Sequence, residues 1–577
     1  MRSPARFVGG WFGGWCCLAA IAGAGPVAAQ AGLQGDVTRR IDTMFARFER
    51  PGSPGCALGV YRDGRMVYAR GYGSAQLELD VPITPATVFD LGSTSKQFTA
   101  MSVLLLAKDG KLSLDDDVRR FLPELPSYGR PITIRHLLHH TSGLRDYLTL
   151  MALAGESYDN VSTDEDALDL IVRQRALDFT PGSEWEYSNT GFFLLSLIVK
   201  RASGQSLREF AAARIFGPLG MTHTQFRDDH RSIVPNRAAA YDPPDSTGAY
   251  HIDVSNFEQT GDGAVHTTVE DLLLWDRNFY SGQVGGPAVP AEMVRPGTLN
   301  DGTALDYASG LMIGSHRGLR TVSHGGSWGG YRAELLRFPT ETVSVACLCN
   351  VARSNPSGLA RRVAEVVLAD RLAPIPAERA ATEPATAAAA AAPELLGAYR
   401  DPTSGTVARV GLDSGRVQLE YSGDTMLLIP EGAGEYSAVG SQARVRFEPA
   451  SGRTPRRIRI SGPGLGHHTL EAIPPFTPPK GALALYAGEY ASPELGVGYR
   501  IAVESDALAL HAPHLPADRL RPTIRDEFES PALGITLRFT RRAGGQVTGF
   551  TVATGRTQGL RFDLARATSS PALPRGR

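Results

Sequence analysis

The stretch Leu91-Gly92-Ser93-Thr94-Ser95-Lys96-Gln97-Phe98-Thr99-Ala100-Met101-Ser102-Val103-Leu104-Leu105 decides how the chain is read. Phe98, Met101, Leu104 and Leu105 recur at helical spacing, so the segment predicts a buried helix with Ser93 in its first turn. Lys96 follows at i+3, on the same side, within reach of the Ser93 hydroxyl. The N-terminus of such a helix also presents backbone N–H groups to a developing oxyanion. A bare Ser-x-x-Lys is common, but only five of the 59 basic residues are lysine. Ordinary positive positions carry Arg, which keeps its proton, whereas position 96 carries a side chain that can lose one.

Two further clusters lie downstream. Tyr187-Ser188-Asn189 falls between the turn-like Pro181-Gly182-Ser183 and an apolar helix from Phe192 to Val199. A phenol becomes a useful base only beside cationic groups, which favour its ionised form, and the Asn189 amide is a donor for a substrate carbonyl. His324-Gly325-Gly326-Ser327-Trp328-Gly329-Gly330-Tyr331 joins two strand-like segments, and its glycines let a substrate backbone approach the strand edge.

Composition sets the frame. With 577 residues the chain exceeds one core and predicts about two to four domains. A charged fraction of 21% and a net charge of -1 point to no nucleic-acid partner and no anionic membrane surface. Arg2 and Arg6, the apolar run Phe7–Ala22 and Val27-Ala28-Ala29 read as a signal peptide over residues 1–29, hence an exported, periplasmic or secreted protein. No later segment is long enough to span a membrane. Cys56, Cys347 and Cys349 remain after the signal and read as small core residues, without disulfide-framework or zinc spacing.

A helix around Asp36–Phe48, a hairpin at residues 57–72, strands near residues 321–323, 331–338 and 343–350, and a helix over residues 358–372 predict an α/β (α+β) domain. Its antiparallel sheet is flanked by helices, with a helical subdomain inserted, over residues 30–373. The Pro-, Ala- and Thr-rich residues 374–393 read as a linker. Beyond it, Tyr399 and Tyr490 lie 91 residues apart in similar Gly-x-Tyr contexts, and Phe447 and Phe539 lie 92 apart. That repeat predicts two antiparallel β-barrels, over residues 394–477 and 480–566, before a disordered tail at residues 567–577.

In their order and content the three clusters resemble the penicillin-recognising serine hydrolases of the class C β-lactamase and DD-peptidase type. Ile132 through Leu144, Gly261-Asp262-Gly263, and Asp271-Leu272 through Trp275 resemble further segments of that family, so the likeness runs from about Gly35 to Leu372. It implies that Ser93 attacks, Lys96 and Tyr187 move its proton, Asn189 orients the substrate amide, and His324 fills the basic position of the third motif. Gly326 lies at the substrate edge, and the backbone N–H groups of Ser93 and Ser327 form the oxyanion hole. No cofactor and no metal is implied; His136 and His140 lack the glutamate of a His-Glu-x-x-His zinc site.

Where class C enzymes carry Lys-Thr-Gly, this chain has His324-Gly325-Gly326. A histidine is mostly neutral above about pH 6.5, so recognition of a terminal carboxylate by this motif is expected to be weak and pH-dependent. His-x-Gly with two C-terminal barrels resembles the D-aminopeptidase branch, whose barrels brace the catalytic domain and contribute a loop to the substrate's amino end. In this sequence that loop is expected near residues 517–529, with Asp526 or Glu527 facing an ammonium. The expected partner is a small peptide, β-lactam or ester, with the β-domains packed on the catalytic domain; the architecture also admits a homo-oligomer. β-Lactamase, DD-carboxypeptidase, esterase and a non-catalytic sensor of penicillins or cell-wall fragments are the alternatives.

Overall fold

The computed structural model describes residues 32–374 and 395–565, apart from residues 422–423, 433, 439–442, 463–465 and 480. The signal segment, nearly all of the linker and the tail expected from the sequence lie outside the described residues.

The catalytic region is built on a six-stranded antiparallel sheet in the order Arg65–Tyr72, Cys56–Arg62, Val343–Cys349, Tyr331–Phe338, Leu319–Trp328, Met312–His316. The adjacent strands Cys56–Arg62 and Val343–Cys349 are buried on both faces, which explains their largely apolar runs Cys56–Tyr61 and Val343–Cys349. On one face pack the helices Gly35–Phe45 and Pro356–Val367, whose Ile41, Phe45, Leu359 and Val363 close a core around Leu58, Val60 and Val345. The other face carries the helix Lys96–Lys108, the helix Asn189–Ser203 and the helix Val269–Ser281, with Phe98, Phe193, Trp275 and Leu272 fully buried between them. The antiparallel sheet with helices on both faces is the expected fold.

One sequence reading is corrected and another is borne out. Cys56 and Cys349 face each other across two adjacent strands and form a disulfide, leaving Cys347 as a buried thiol. Spacing along the chain carried no trace of this pairing, because the cysteines meet only through strand register over a separation of 293 residues. The third cluster joins two strands, as the sequence predicted, and most of it is itself strand. His324 through Trp328 continue the strand Leu319–Trp328, and the turn is made by Gly329 and Gly330. Both glycines back directly onto the chain at residues 241 and 253, where a Cβ would lie 2.4 Å from the Tyr241 nitrogen and 2.6 Å from the Asp253 carbonyl oxygen.

The C-terminal half forms two β-domains. The first is a closed antiparallel barrel running from Gly397–Arg400 to Gly466–Ile473. The second is a nine-stranded antiparallel sheet whose edges, Asp518–Arg519 and Arg521–Ile524, are consecutive segments of the chain, so it curls into a nearly closed barrel. The repeat seen in the sequence is structural. Tyr399 and Tyr490 are each buried on the first strand, and each donates its hydroxyl to the carbonyl four residues earlier, at 2.9 Å to Leu395 and 2.7 Å to Tyr486.

Glu527 does not face a substrate. It is buried between the barrels, where Arg400 grips both its oxygens at 2.8 and 2.9 Å and Arg538 adds a third contact at 3.1 Å. Asp526 is taken up by Tyr486 and Arg541, each at 2.7 Å. The expectation of an ammonium-binding acid on this loop is therefore overturned: both carboxylates serve the barrels.

Candidate active site

The turn that carries Ser93 is held by backbone contacts. Gly92–Ser95 is a tight 3-10 turn that runs straight into the helix Lys96–Lys108. Gly92 has φ +48°, and a Cβ there would lie 2.7 Å from the Ser327 nitrogen. At Gly326 a Cβ would fall 1.8 Å from the Leu91 carbonyl oxygen and 3.1 Å from the Ser93 nitrogen. The turn and the third-cluster strand thus touch main chain to main chain, which only glycine allows at both positions. Thr94 Oγ1 donates to the His324 carbonyl at 3.0 Å and fixes the register.

Lys96 is fully buried, and its Nζ makes three contacts: Ser93 Oγ at 3.1 Å, Asn189 Oδ1 at 2.9 Å and the Asp262 carbonyl at 2.7 Å. It also lies 4.9 Å from the centroid of the Tyr187 ring. Asn189 heads the helix Asn189–Ser203, and its own N–H donates to Asp146 Oδ2 at 2.6 Å. The sequence-predicted Ser93, Tyr187, Asn189, His324, Gly326 and Ser327 all line one cleft of about 900 Å³, and Lys96 lies beneath its floor.

His324 is buried, and burial together with the Lys96 charge lowers its pKa to about 3. It therefore stays neutral at physiological pH, and the expected pH-dependent cation at this motif is not present. Nδ1 lies 2.6 Å from the Gly325 carbonyl, which can only accept, so Nδ1 carries the proton and Nε2 accepts from Tyr307 at 3.1 Å. Asp262 is buried beside Lys96, and loss of water raises its pKa to about 7 while Tyr147 donates to it at 3.1 Å.

His136 and His140 do not share a helix, which ends at Leu138. His136 accepts from the Thr133 N–H at 3.1 Å in a capping box, and His140 packs 4.3 Å from the Tyr187 ring while its Nδ1 accepts from the Ser188 N–H at 3.3 Å. They are packing and hydrogen-bonding residues, as the sequence suggested.

Sequence reasoning missed the far wall of the cleft. The second β-domain inserts Thr554, Gly555 and Arg556, and the first contributes Tyr421 and His468. The Arg556 guanidinium carbon sits 5.0 Å from the Tyr187 ring centroid. A Thr-Gly-Arg turn among many Gly-containing turns carries no local signal of where it will dock. Tyr307 was missed for a similar reason, since only tertiary structure brings it to His324.

The Beta-lactamase family model matches residues 41–370. A D-aminopeptidase of Cereibacter sphaeroides (strain KD131 / KCTC 12085) is 30% identical over 542 residues, 92% of this chain and 98% of that protein. A D-aminopeptidase of Gluconobacter oxydans (strain 621H) is 30% identical over 405 residues, 70% of this chain and 72% of that one. In fold, the chain resembles the octameric penicillin-binding protein homologue from Pyrococcus abyssi, with a TM-score of 0.55 and 24% identity over 76% of this chain and 99% of that chain. A serine–lysine pair under a glycine-lined strand edge, in a chain matched along nearly its whole length by such relatives, places this protein in the beta-lactamase family of serine hydrolases.

Proposed function

We propose that the protein is an exported hydrolase that releases N-terminal D-amino acids from amides and short peptides through an ester on Ser93. The observation that carries the chemistry is the environment of Lys96 Nζ. Two of its three contacts are to carbonyl oxygens, of Asn189 and Asp262, which accept two N–H bonds. In the neutral amine the remaining tetrahedral position is the lone pair, directed at Ser93 Oγ 3.1 Å away. Ser93 gives its proton to that lone pair as Oγ attacks the substrate carbonyl carbon. The oxyanion is received by the Ser93 and Ser327 N–H groups, where Gly326 permits the close approach. The carbon–nitrogen bond then breaks as Tyr187 gives its phenol proton to the departing amine and recovers one from Lys96, which returns to the neutral amine, and water hydrolyses the ester, giving one hydrogen to Ser93 Oγ and its hydroxyl to the amino acid. Asn189 uses its oxygen on Lys96, which leaves its NH₂ for the substrate amide. Neutral His324 is an uncharged wall of this site.

The D-amino-acid specificity is supported by the two relatives matched across 92% and 70% of the chain, both D-aminopeptidases. Export is supported by the N-terminal segment and by the Cys56–Cys349 disulfide, a bond that persists in oxidising compartments. The test is release of p-nitroaniline from D-alanine and L-alanine p-nitroanilides, with Ser93→Ala as control. Selective cleavage of the D form that disappears in Ser93→Ala is the expected result. Cleavage that survives the substitution rejects the mechanism. Labelling of Ser93 by a fluorescent penicillin without turnover of either anilide would favour a penicillin-binding sensor.

A further inference from the structure

Three arginines line the cleft, Arg227, Arg332 and Arg556, and Lys96 lies beneath its floor. The first two are turned to backbone carbonyls. Arg227 is buried, donates to the His230 carbonyl and leaves its Nε unpartnered, and Arg332 is half-buried and donates to the Gly329 and Tyr331 carbonyls. Arg556 is exposed, and among the described residues its guanidinium forms no ion pair. Glu186, a carboxyl group on which its charge acts, does not neutralise it, because loss of water and the neighbouring Asp178 push the pKa of Glu186 well up against the opposing pull of Arg556.

The turn that carries Arg556 is fixed on both sides. Within it, the Thr554 N–H donates to the Thr557 carbonyl at 2.7 Å and the Arg556 N–H donates to Thr554 Oγ1 at 3.0 Å. From the catalytic region, the Asp146 N–H donates to the Arg556 carbonyl at 3.2 Å and Arg145 Nε donates to the Gln558 carbonyl at 3.1 Å. The Gln558 N–H returns a bond of 2.6 Å to Asp178. A guanidinium on a turn held in this way is preorganised for a planar anion.

We propose that Arg556 is the specificity-determining residue for a carboxylate on the leaving group, so that the favoured substrates are short D-amino-acid peptides with a free C-terminus rather than the corresponding amides. This rests on the reading of the site given above, in which Tyr187 hands a proton to the departing nitrogen. The α-carboxylate of a departing amino acid lies two bonds from that nitrogen, and Arg556 lies over the ring of the proton donor, 5.0 Å from its centroid. Third-cluster His324 is neutral and cannot supply the charge. The second β-domain supplies it from across the cleft.

The test compares D-alanyl-glycine with D-alanyl-glycinamide, which differ only in the terminal charge, on the full mature protein and on Arg556→Gln and Arg556→Lys. The protein is expected to favour the acid over the amide in kcat/KM, and Arg556→Gln to lower that ratio by about 10- to 100-fold, the range of one charge-assisted contact. Arg556→Lys is expected to recover part of the ratio. A ratio unchanged in Arg556→Gln, or no preference in the parent protein, overturns the proposal. If the parent protein turns over neither peptide, calorimetric binding of the same pair to Ser93→Ala decides. Tighter binding of the acid that is lost on adding Arg556→Gln keeps the role of Arg556 while rejecting the peptidase reading. Equal affinity, or no binding, overturns the proposal as well.

Discussion

Tyr307 donates its phenol hydrogen to Nε2 of His324 across 3.1 Å, while the Nδ1 proton of the same ring goes to the Gly325 carbonyl. The two contacts select one tautomer of the neutral ring. His324, with its pKa lowered to about 3 by burial and the Lys96 charge, binds fewer protons in the folded chain than in the unfolded one. Its neutrality therefore favours the fold above about pH 6.5, and that contribution is lost as pH falls toward about 3. Nitrogen NMR is expected to show the Nδ1–H tautomer unchanged from pH 5 to pH 8, and kcat/KM to show no inflection from this residue in that interval. A His324 titration near pH 6.5 would contradict the assignment.

Lys96→Arg keeps the positive charge and removes the side chain able to give up a proton. Release of p-nitroaniline from D-alanine p-nitroanilide is expected to slow by about 1000-fold or more, as for loss of an essential proton acceptor. Retention of the parent rate would show that Lys96 acts only through its charge.

Gly326→Ala places a carbon 1.8 Å from the Leu91 carbonyl oxygen, against backbone that cannot swing aside. Separation of the strand from the nucleophile turn is expected to cost on the order of 100-fold in kcat, the size of a lost oxyanion donor. Gly411→Ala, where nothing lies within 4 Å, is the control for a general glycine effect.

Asp178 and Glu186 lie where the catalytic region meets the second β-domain, and Gln558 bonds to both. Loss of water raises both pKa values above their unfolded values. The stabilisation is therefore complete below about pH 4 and is lost as pH rises through about 7, the Asp178 value. Glu186→Gln is expected to shrink the drop in Tm between pH 6 and pH 8.5 by roughly 2–4 °C. An equal drop in both proteins would show that the pair does not control this contact.

Replacing Cys56 and Cys349 together by Ser is expected to lower stability by about 3–5 kcal/mol, because the bond closes a loop of nearly 300 residues. Denaturant unfolding with and without the bond measures this, with Cys347 left in place.

The serine, lysine, tyrosine, asparagine and histidine of the cleft were legible because each sits in a local pattern with a chemical reason. The repeated barrels were legible through their tyrosines, Tyr399 and Tyr490, whose hydroxyls satisfy backbone four residues away. What failed depended on contacts distant in sequence. Cys56 and Cys349 meet by register, and Asp526 and Glu527 are captured by arginines of the barrels. Arg556 reaches the cleft through a turn held by Asp146, Arg145 and Asp178, more than 370 residues earlier in the chain. Charge and hydropathy patterns do not encode such docking.

The disulfide also changes what a cut in the chain means. Residues 57–348, with Ser93, Tyr187, His324 and the exposed loop at residues 244–249, all lie inside one covalent ring. A protease that nicks that loop once opens the ring without releasing a piece. The two parts stay joined through the middle of the sheet, and Ser93 stays tethered to the strand beneath it.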